Sequence, residues 1–280
     1  MKYYSVFRPD LFKDQTVIVT GGGSGIGRAV AHELASLGAH VVLASRRVTK
    51  LERVREEIAA AGGSASFARL NLREEKSVTT LFEQVMAERG AVHGLVNNAG
   101  GQYLSPAEKI SSKGFDAVVG VNLRGAFLMC REAYNRWMGA HGGAIVNMLM
   151  ENWRGFPGMA HSAAARAGVN NMTKTLAVEW ARSGVRVNAV APGLIESSGL
   201  AHYGEEARPL LEQVVRDTPA KRMGTEGEVA AVITFLLSPA AAYISGDTIR
   251  IDGASSLWRK TWEIEDHSSW PERFEGWLET

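Results

Sequence analysis

Thr16-Val-Ile-Val-Thr20, running straight into Gly21-Gly-Gly-Ser-Gly-Ile-Gly27 and then into Arg28-Ala-Val-Ala-His-Glu-Leu-Ala35, decides the fold of this chain. The first run is entirely β-branched and reads as a strand, and the last has a helical pattern. Between them Gly21, Gly25 and Gly27 leave no side chain where a strand turns into a helix, so a pyrophosphate can approach the backbone and the helix N-terminus. A turn chosen only for positive φ would not call for this cluster of glycines at a strand-to-helix junction. The stretch predicts a dinucleotide site.

Outward from it the same alternation repeats. Short runs read as strands at His40-Val-Val-Leu-Ala44, Ser64-Ala-Ser-Phe67, Gly94-Leu-Val96, Ala144-Ile-Val-Asn147, Val185-Arg-Val-Asn-Ala-Val190 and Asp247-Thr-Ile-Arg-Ile251, with longer helical patterns between them. A βαβ series of this kind predicts an α/β fold: a single-domain Rossmann fold with a doubly wound, seven-stranded parallel sheet and helices on both faces. Ligands of such sheets sit beyond the carboxyl ends of the strands, so chemistry is expected on the loops that follow them. Residues 1–253 are read as this domain. Residues 254–280 hold Trp258, Trp262, Trp270 and Trp277 among charged residues and are read as an ordered tail packing on the domain or on a neighbouring subunit, because disordered tails are poor in aromatics.

Composition narrows the function classes. With 280 residues and 45% hydrophobic content the chain can bury a full core, and a formal net charge of +1 gives no field to gather nucleic acid or an anionic membrane. The single cysteine, Cys130, excludes an internal disulfide, and its neighbours Ala126-Phe-Leu-Met129 suit a buried helical thiol. Met1 to Asp10 lacks a signal-peptide core, no stretch approaches a membrane span, and Leu278-Glu-Thr280 is not a peroxisomal address, so a cytoplasmic location is expected. No metal-ligand set is read.

Several motifs, in order and spacing, resemble the short-chain dehydrogenase/reductase family over nearly the whole chain. They are Thr20-Gly-x-x-x-Gly-Ile-Gly27, Asn97-Asn-Ala-Gly100, Asn122 in Val-Asn-Leu-Arg-Gly, Ala165-Arg-Ala-Gly-Val169 and Asn188-Ala-Val-Ala-Pro-Gly193. More narrowly, Gly100-Gly-Gln-Tyr-Leu-Ser-Pro-Ala107, the segment from Ala160 to Val169, Pro219-Ala-Lys-Arg222 and the Trp-rich end are similar to the peroxisomal trans-2-enoyl-CoA reductases, with the 2,4-dienoyl-CoA reductases a second comparison.

The choice of cofactor follows from charge. A carboxylate at the end of the second strand would hold the ribose 2′-hydroxyl of NAD and repel the 2′-phosphate of NADP, but Ala44-Ser-Arg-Arg47 holds no acid there. NADP(H) is expected, with Arg46, Ser45, Arg47 and Ser24 placed for charge-assisted hydrogen bonds to that phosphate. Gly21, Gly23, Gly25, Ile26 and Gly27 form the turn. The resemblance further implies Asn71 and Leu72 beside the adenine and Asn98, Ala99 and Gly100 along the cofactor. It also implies Pro192, Gly193, Ile195 and Ser197 over the nicotinamide, and Arg166 on its ribose. Ser198-Gly-Leu-Ala-His-Tyr-Gly-Glu205 is read as a lid over the substrate.

The catalytic side departs from the family's pattern. Most members reduce carbonyls with a Tyr, a Lys four residues later and a Ser; aligned on the helix motif, Ser162 stands for the tyrosine, Arg166 for the lysine and Leu149 for the serine. A serine hydroxyl is a poor proton donor and Arg stays cationic, so that relay cannot run. Reduction of an enoyl thioester needs instead donors aimed at the thioester oxygen. The reading is an NADPH-dependent reductase of enoyl-CoA or dienoyl-CoA C=C bonds, taking an acyl-CoA thioester. Its candidate catalytic residues are Asn122, Ser162, Arg166, Tyr103 and Glu151. A carbonyl or alcohol oxidoreductase with Tyr103 or Glu151 as displaced acid, and an NADP-binding regulatory protein without chemistry, stay open. Pairing through helices near 115–137 and 160–180, as a homodimer or homotetramer, is implied by the resemblance.

Overall fold

Thr16–Thr20, strand β1, is buried along its whole length, because it lies at the centre of a sheet covered on both faces. The computed structural model describes residues 3, 5–151, 153–197, 200, 208–258, 262 and 264–277. In chain order, helix α1 (Gly25–Ser36) leads to β2 (His40–Ser45), α2 (Val48–Ala60) to β3 (Ser64–Arg69), and α3 (Glu75–Arg89) to β4 (Gly94–Asn97). Helices α4 (Ser112–Val119), α5 (Gly125–Ala133) and α6 (Gly139–His141) are joined without a break by two π-type turns, Gly120–Arg124 and Tyr134–Met138. Then come β5 (Gly143–Met148), α7 (Ala160–Glu179), β6 (Val185–Pro192), β7 (Ile195–Glu196), α8 (Arg208–Asp217), β8 (Gly224–Thr225), α9 (Glu226–Leu237) and β9 (Thr248–Ile251).

The main sheet is parallel throughout, in the order β3-β2-β1-β4-β5-β6-β9, and matches the expected seven strands and doubly wound fold. The winding reverses between β1 and β4, which opens the crevice at their carboxyl ends. The two-residue strands β7 and β8 pair separately.

Strand periodicity sorts the core into two layers. Val17, Val19, Val41 and Leu43 point to one face and pack with Leu34, Val54, Ile58, Ile233 and Leu236 of α1, α2 and α9. Ile18, Val42 and Ile145 point to the other and pack with Leu81, Phe82, Met129 and Leu176 of α3, α5 and α7. Each fully buried Leu or Ile contributes about 1.5–3 kcal/mol. Cys130 lies in this second layer, and burial pushes its thiol up to about 12.

The chain ends meet behind α1. Trp277 packs edge-on to Tyr3 at 4.9 Å and to His32 at 4.6 Å, with the Arg28 guanidinium 4.3 Å over its ring. Thr225 donates its hydroxyl to the Phe274 carbonyl at 2.5 Å, and Arg273 pairs with Glu196. No helix of the described residues is long and apolar enough to cross a membrane.

Candidate active site

The turn between β1 and α1 is built so that backbone, not side chains, faces the crevice. Gly21 and Gly25 adopt φ of +72° and +59°, a region costly for residues with a Cβ. The Gly21 N–H donates to the Ala44 carbonyl at 2.7 Å, which fixes the turn against β2. Gly27 answers a different need: a Cβ there would strike the Gly21 carbonyl oxygen and come within 2.5 Å of the Asn98 amide nitrogen. Ser24 precedes α1 in extended backbone and makes no side-chain cap, so it leaves the first-turn N–H groups unsatisfied by its hydroxyl. A cradle closed to any Cβ and lined by unsatisfied N–H donors fits a pyrophosphate.

The loop after β4 is stitched to this turn. Asn98 donates to the Thr20 carbonyl at 2.9 Å, and the Thr20 hydroxyl accepts the Ala99 N–H at 3.0 Å while donating to the Val96 carbonyl at 3.2 Å. Beyond β2, Ser45 is half-buried, Arg46 and Arg47 are exposed, and among the described residues neither arginine is paired. Asn71 is already engaged: its amide donates to Glu74 at 2.6 Å and accepts the Arg73 N–H at 3.3 Å, turning the chain into α3. Leu72 is buried against Gly125. At the end of β6, Pro192 is buried and the Gly193 N–H bonds the Ile251 carbonyl at 3.0 Å; Ile195 is buried in β7, and Ser197 is half-buried beside it. Of the residues read as a lid, only Leu200 lies among the described residues.

Three elements converge on Gly100 and Gly101. Asn122, in the π-type turn and 1% exposed, accepts the Gly101 N–H at 2.9 Å and donates to the Gly101 carbonyl at 3.0 Å. The extra residue of a π turn is what rotates such a side chain out of the helical register. From α7, Arg166 reaches under the loop, so that a Cβ on Gly100 would collide with its Nη2. Arg166 is buried, donates Nη1 to the Met148 carbonyl, and among the described residues leaves Nε without a partner. Burial lowers its pKa to about 10, so it remains cationic at neutral pH. Among the described residues no carboxylate pairs with it, and a buried cation without counter-charge is costly unless a ligand supplies polar partners.

One turn earlier, Ser162 has no exposed surface, and its hydroxyl donates to Gln102 Oε1 at 2.8 Å. His161, equally buried, accepts the Ser162 N–H on Nδ1 at 2.9 Å, and among the described residues its Nε2 has no partner. Tyr103 is 41% exposed and sets its ring edge-on to His161 at 4.5 Å, with its hydroxyl over Gly114. Glu151 is half-buried and accepts from Ser255 at 2.9 Å. Leu149 is buried, with its N–H on Val190. The structure thus gathers Asn122, Arg166, Ser162 and Tyr103 around one loop, whereas Glu151 is tied to the segment after β9. Among the described residues no cluster of metal-ligating side chains occurs.

Two features escape sequence reasoning. Gln102 lies on the loop as an exposed residue, yet it receives the serine's proton. Beneath it a buried chain joins Asn97 to Asn147 at 2.9 Å and Asn147 to Thr173 at 2.9 Å, locking β4 and β5 to α7. The signal for the second is a polar Asn147 closing the apolar strand Ala144-Ile-Val-Asn147.

Comparison with known proteins agrees with this geometry. The family model described as Enoyl-(Acyl carrier protein) reductase matches residues 21–255. A Bacillus subtilis protein described as a probable 2,4-dienoyl-CoA reductase is 38% identical over 246 residues, which are 87% of this chain and 97% of that one. The solved structure of a Pseudomonas aeruginosa citronellol catabolism dehydrogenase is 57% identical with a TM-score of 0.82, covering 91% of this chain and 100% of the other. A Beutenbergia cavernae structure described as an NAD(P) dependent gluconate 5-dehydrogenase, with NADP bound at low occupancy, is 34% identical with a TM-score of 0.83, covering 90% and 100%. The chain belongs to the short-chain dehydrogenase/reductase family and is an oxidoreductase of that family.

Proposed function

We propose that the protein is an NADP(H)-dependent reductase of C=C bonds conjugated to a thioester carbonyl, of the enoyl-CoA or dienoyl-CoA kind. The observation that carries this reading is the head of α7: where a phenol and an amine would run carbonyl chemistry, a buried serine and a buried arginine with no carboxylate partner among the described residues stand instead. The nicotinamide supplies hydride when bound; Gly21, Gly25, Gly27, Asn98 and Ala99 form its pyrophosphate and ribose wall, and Arg46 with Arg47 meets the 2′-phosphate. The NADP-bound Beutenbergia structure supports a nicotinamide cofactor, and the absence of an acid at Ala44-Ser-Arg-Arg47 supports its phosphorylated form.

The residues of this chain then have separate tasks. Arg166 holds polar oxygen atoms against the buried end of the cleft. Asn122 keeps the Gly100-Gly101 backbone at a fixed distance from α7. Donors at the head of α7 hydrogen-bond the thioester oxygen, where negative charge grows as the double bond is reduced. The proton for the α-carbon comes from water. Exposed Leu104, Trp153 and Phe156 supply apolar surface on the two loops that meet where the Ser105 N–H bonds the Gly158 carbonyl at 2.8 Å, suited to an aliphatic chain. The Bacillus relative supports the dienoyl-CoA class.

A second reading rests on the Pseudomonas relative, a citronellol catabolism dehydrogenase, and is a dehydrogenase acting on an aliphatic alcohol such as citronellol. NADPH oxidation with crotonyl-CoA, longer enoyl thioesters and 2,4-dienoyl thioesters, set beside NADP+ reduction with citronellol, separates the two. Turnover of the thioesters supports the proposal; turnover of the alcohol alone replaces it.

A further inference from the structure

We propose that the C-terminal segment from Arg273 to Trp277 is a strap that fixes the two ends of the coenzyme site relative to each other, with Arg273 as the positioning residue for the nicotinamide half. The inference rests on the coenzyme reading above and deepens it. The strap acts through β7 and α1 rather than by touching the coenzyme.

A dinucleotide on a doubly wound sheet lies across the switch point, with its pyrophosphate at the head of the first helix. Arg46 and Arg47 put the phosphorylated adenosine half beyond β2, so the nicotinamide half falls on the other side of β1, over the carboxyl ends of β4, β5 and β6. Strand β7 leaves β6 at that end, just after Gly193 and Leu194, and buries Ile195 while Glu196 stays exposed. So short a strand does not hold its own place, since β7 pairs with β8 only through Ile195 with Gly224 and Glu196 with Thr225.

The strap supplies the missing support. Arg273 binds Glu196 at 2.5 Å, and its Nε is held by Glu275 at 3.0 Å, so the guanidinium is oriented from its own segment. Opposite Glu196 in register, Thr225 is 1% exposed and donates its hydroxyl to the Phe274 carbonyl at 2.5 Å. Gly227 lets the strap lie this close, because a Cβ there would come 2.7 Å from the Glu275 carbonyl oxygen and 2.8 Å from that of Phe274.

The other end grips the pyrophosphate side. Gly276, at φ +75° and too close to the Tyr3 ring for any Cβ, turns the chain so that Trp277 reaches α1. There Trp277 forms an antiparallel bridge with Tyr3 and carries the Arg28 guanidinium 4.3 Å over its ring. Arg28 directly follows Gly27 of the cradle, and it is tied to Glu57 of α2 at 2.7 Å. The Arg273–Glu196 pair itself is part-exposed, at 39% and 59%, and such pairs add little to global stability. What its loss changes is the position of β7.

The test titrates wild type, Arg273→Ala, Arg273→Lys and Trp277→Ala with NADPH and with 2′-phospho-ADP-ribose, which keeps the adenosine and pyrophosphate but has no nicotinamide ring. Melting temperature is recorded for each protein. Arg273→Ala should weaken NADPH about 3- to 10-fold, change the fragment less than about 2-fold and leave the melting temperature within about 2 °C. Arg273→Lys keeps a cation beside Glu196 and should recover most of the loss. Trp277→Ala acts at the α1 end and should weaken both ligands alike, by about 3- to 5-fold. Arg273→Ala that weakens NADPH and the fragment equally, or neither, overturns the proposal, and so does wild-type affinity for both in Trp277→Ala. If the wild type takes NADH and ADP-ribose in place of the phosphorylated pair, the NADP(H) reading fails while the same split between the two ligands upholds the strap. Uptake of neither coenzyme overturns both.

Discussion

Gly27→Ala tests the cradle at its tightest point. The added Cβ would strike the Gly21 carbonyl oxygen and sit 2.5 Å from Asn98 Nδ2 and 2.9 Å from the Gly21 carbonyl carbon. Neither neighbour can turn aside, because Gly21 is backbone held to Ala44 at 2.7 Å and the Asn98 amide is held to Thr20 at 2.9 Å. Relaxing the Asn98 contact from 2.5 to an ordinary 3.4 Å opens the turn by about 1 Å, enough to carry an N–H out of hydrogen-bond range of a phosphate oxygen. Losing one charge-assisted bond costs about 1.5–3 kcal/mol, so the NADPH dissociation constant should rise about 10- to 100-fold. Stability should change less: overpacking costs about 1–3 kcal/mol, and replacing a helical glycine by alanine returns about 1 kcal/mol. Gly62→Ala is the control. At φ +83° with nothing within 4 Å, it should lower the melting temperature by strain of about 1–2 kcal/mol while leaving affinity unchanged. Titration of both proteins with NADPH checks this, and wild-type affinity in Gly27→Ala would refute the cradle argument.

Arg46→Asp restores an acid at the end of β2, so NADPH affinity should fall at least 10-fold and NADH affinity hold or rise; an unchanged preference in competitive titration would remove the 2′-phosphate site. Arg166→Met removes a buried cation with no counter-ion among the described residues, so it should preserve or raise the melting temperature while cutting kcat/KM more than 100-fold, as read by calorimetry and turnover. Behind α1, burial lowers His32 to about 4 and raises the Glu33 carboxyl. The unfolded chain therefore protonates His32 more readily, and the stability held above about pH 6.5 is lost on the way to pH 4, by on the order of 3 kcal/mol. Glu33 has the opposite sign, because the folded chain binds its proton more readily. Melting temperatures between pH 7 and pH 4 should fall less steeply in His32→Gln and more steeply in Glu33→Gln, and equal slopes in both would contradict the assignment.

The fold is legible because most of its strands are short apolar runs, β1 wholly β-branched, bounded by turn residues, and in a sheet covered on both faces such runs need no alternation to be recognised. Boundaries are less so: β6 runs on to Pro192, where a missing N–H is tolerated at the strand's end, and β7 and β8 are too short to carry any pattern. The helix read near 115–137 is a composite from Ser112 to His141 with two π turns, and the one that aims Asn122 leaves no mark in composition. Glycines of the cradle are legible since each absence of a side chain has a local reason. Gln102 is not, because its partner Ser162 lies 60 residues away and only the fold brings them within 2.8 Å. The Trp277 contact with Tyr3 and His32 is hidden for the same reason.

Calorimetric titration of the purified protein with NADPH and NADH tests the central claim most directly. Saturable binding of NADPH, at least 10-fold tighter than NADH, is the result the cradle and the Arg46-Arg47 pair predict. Uptake of neither coenzyme would contradict the account.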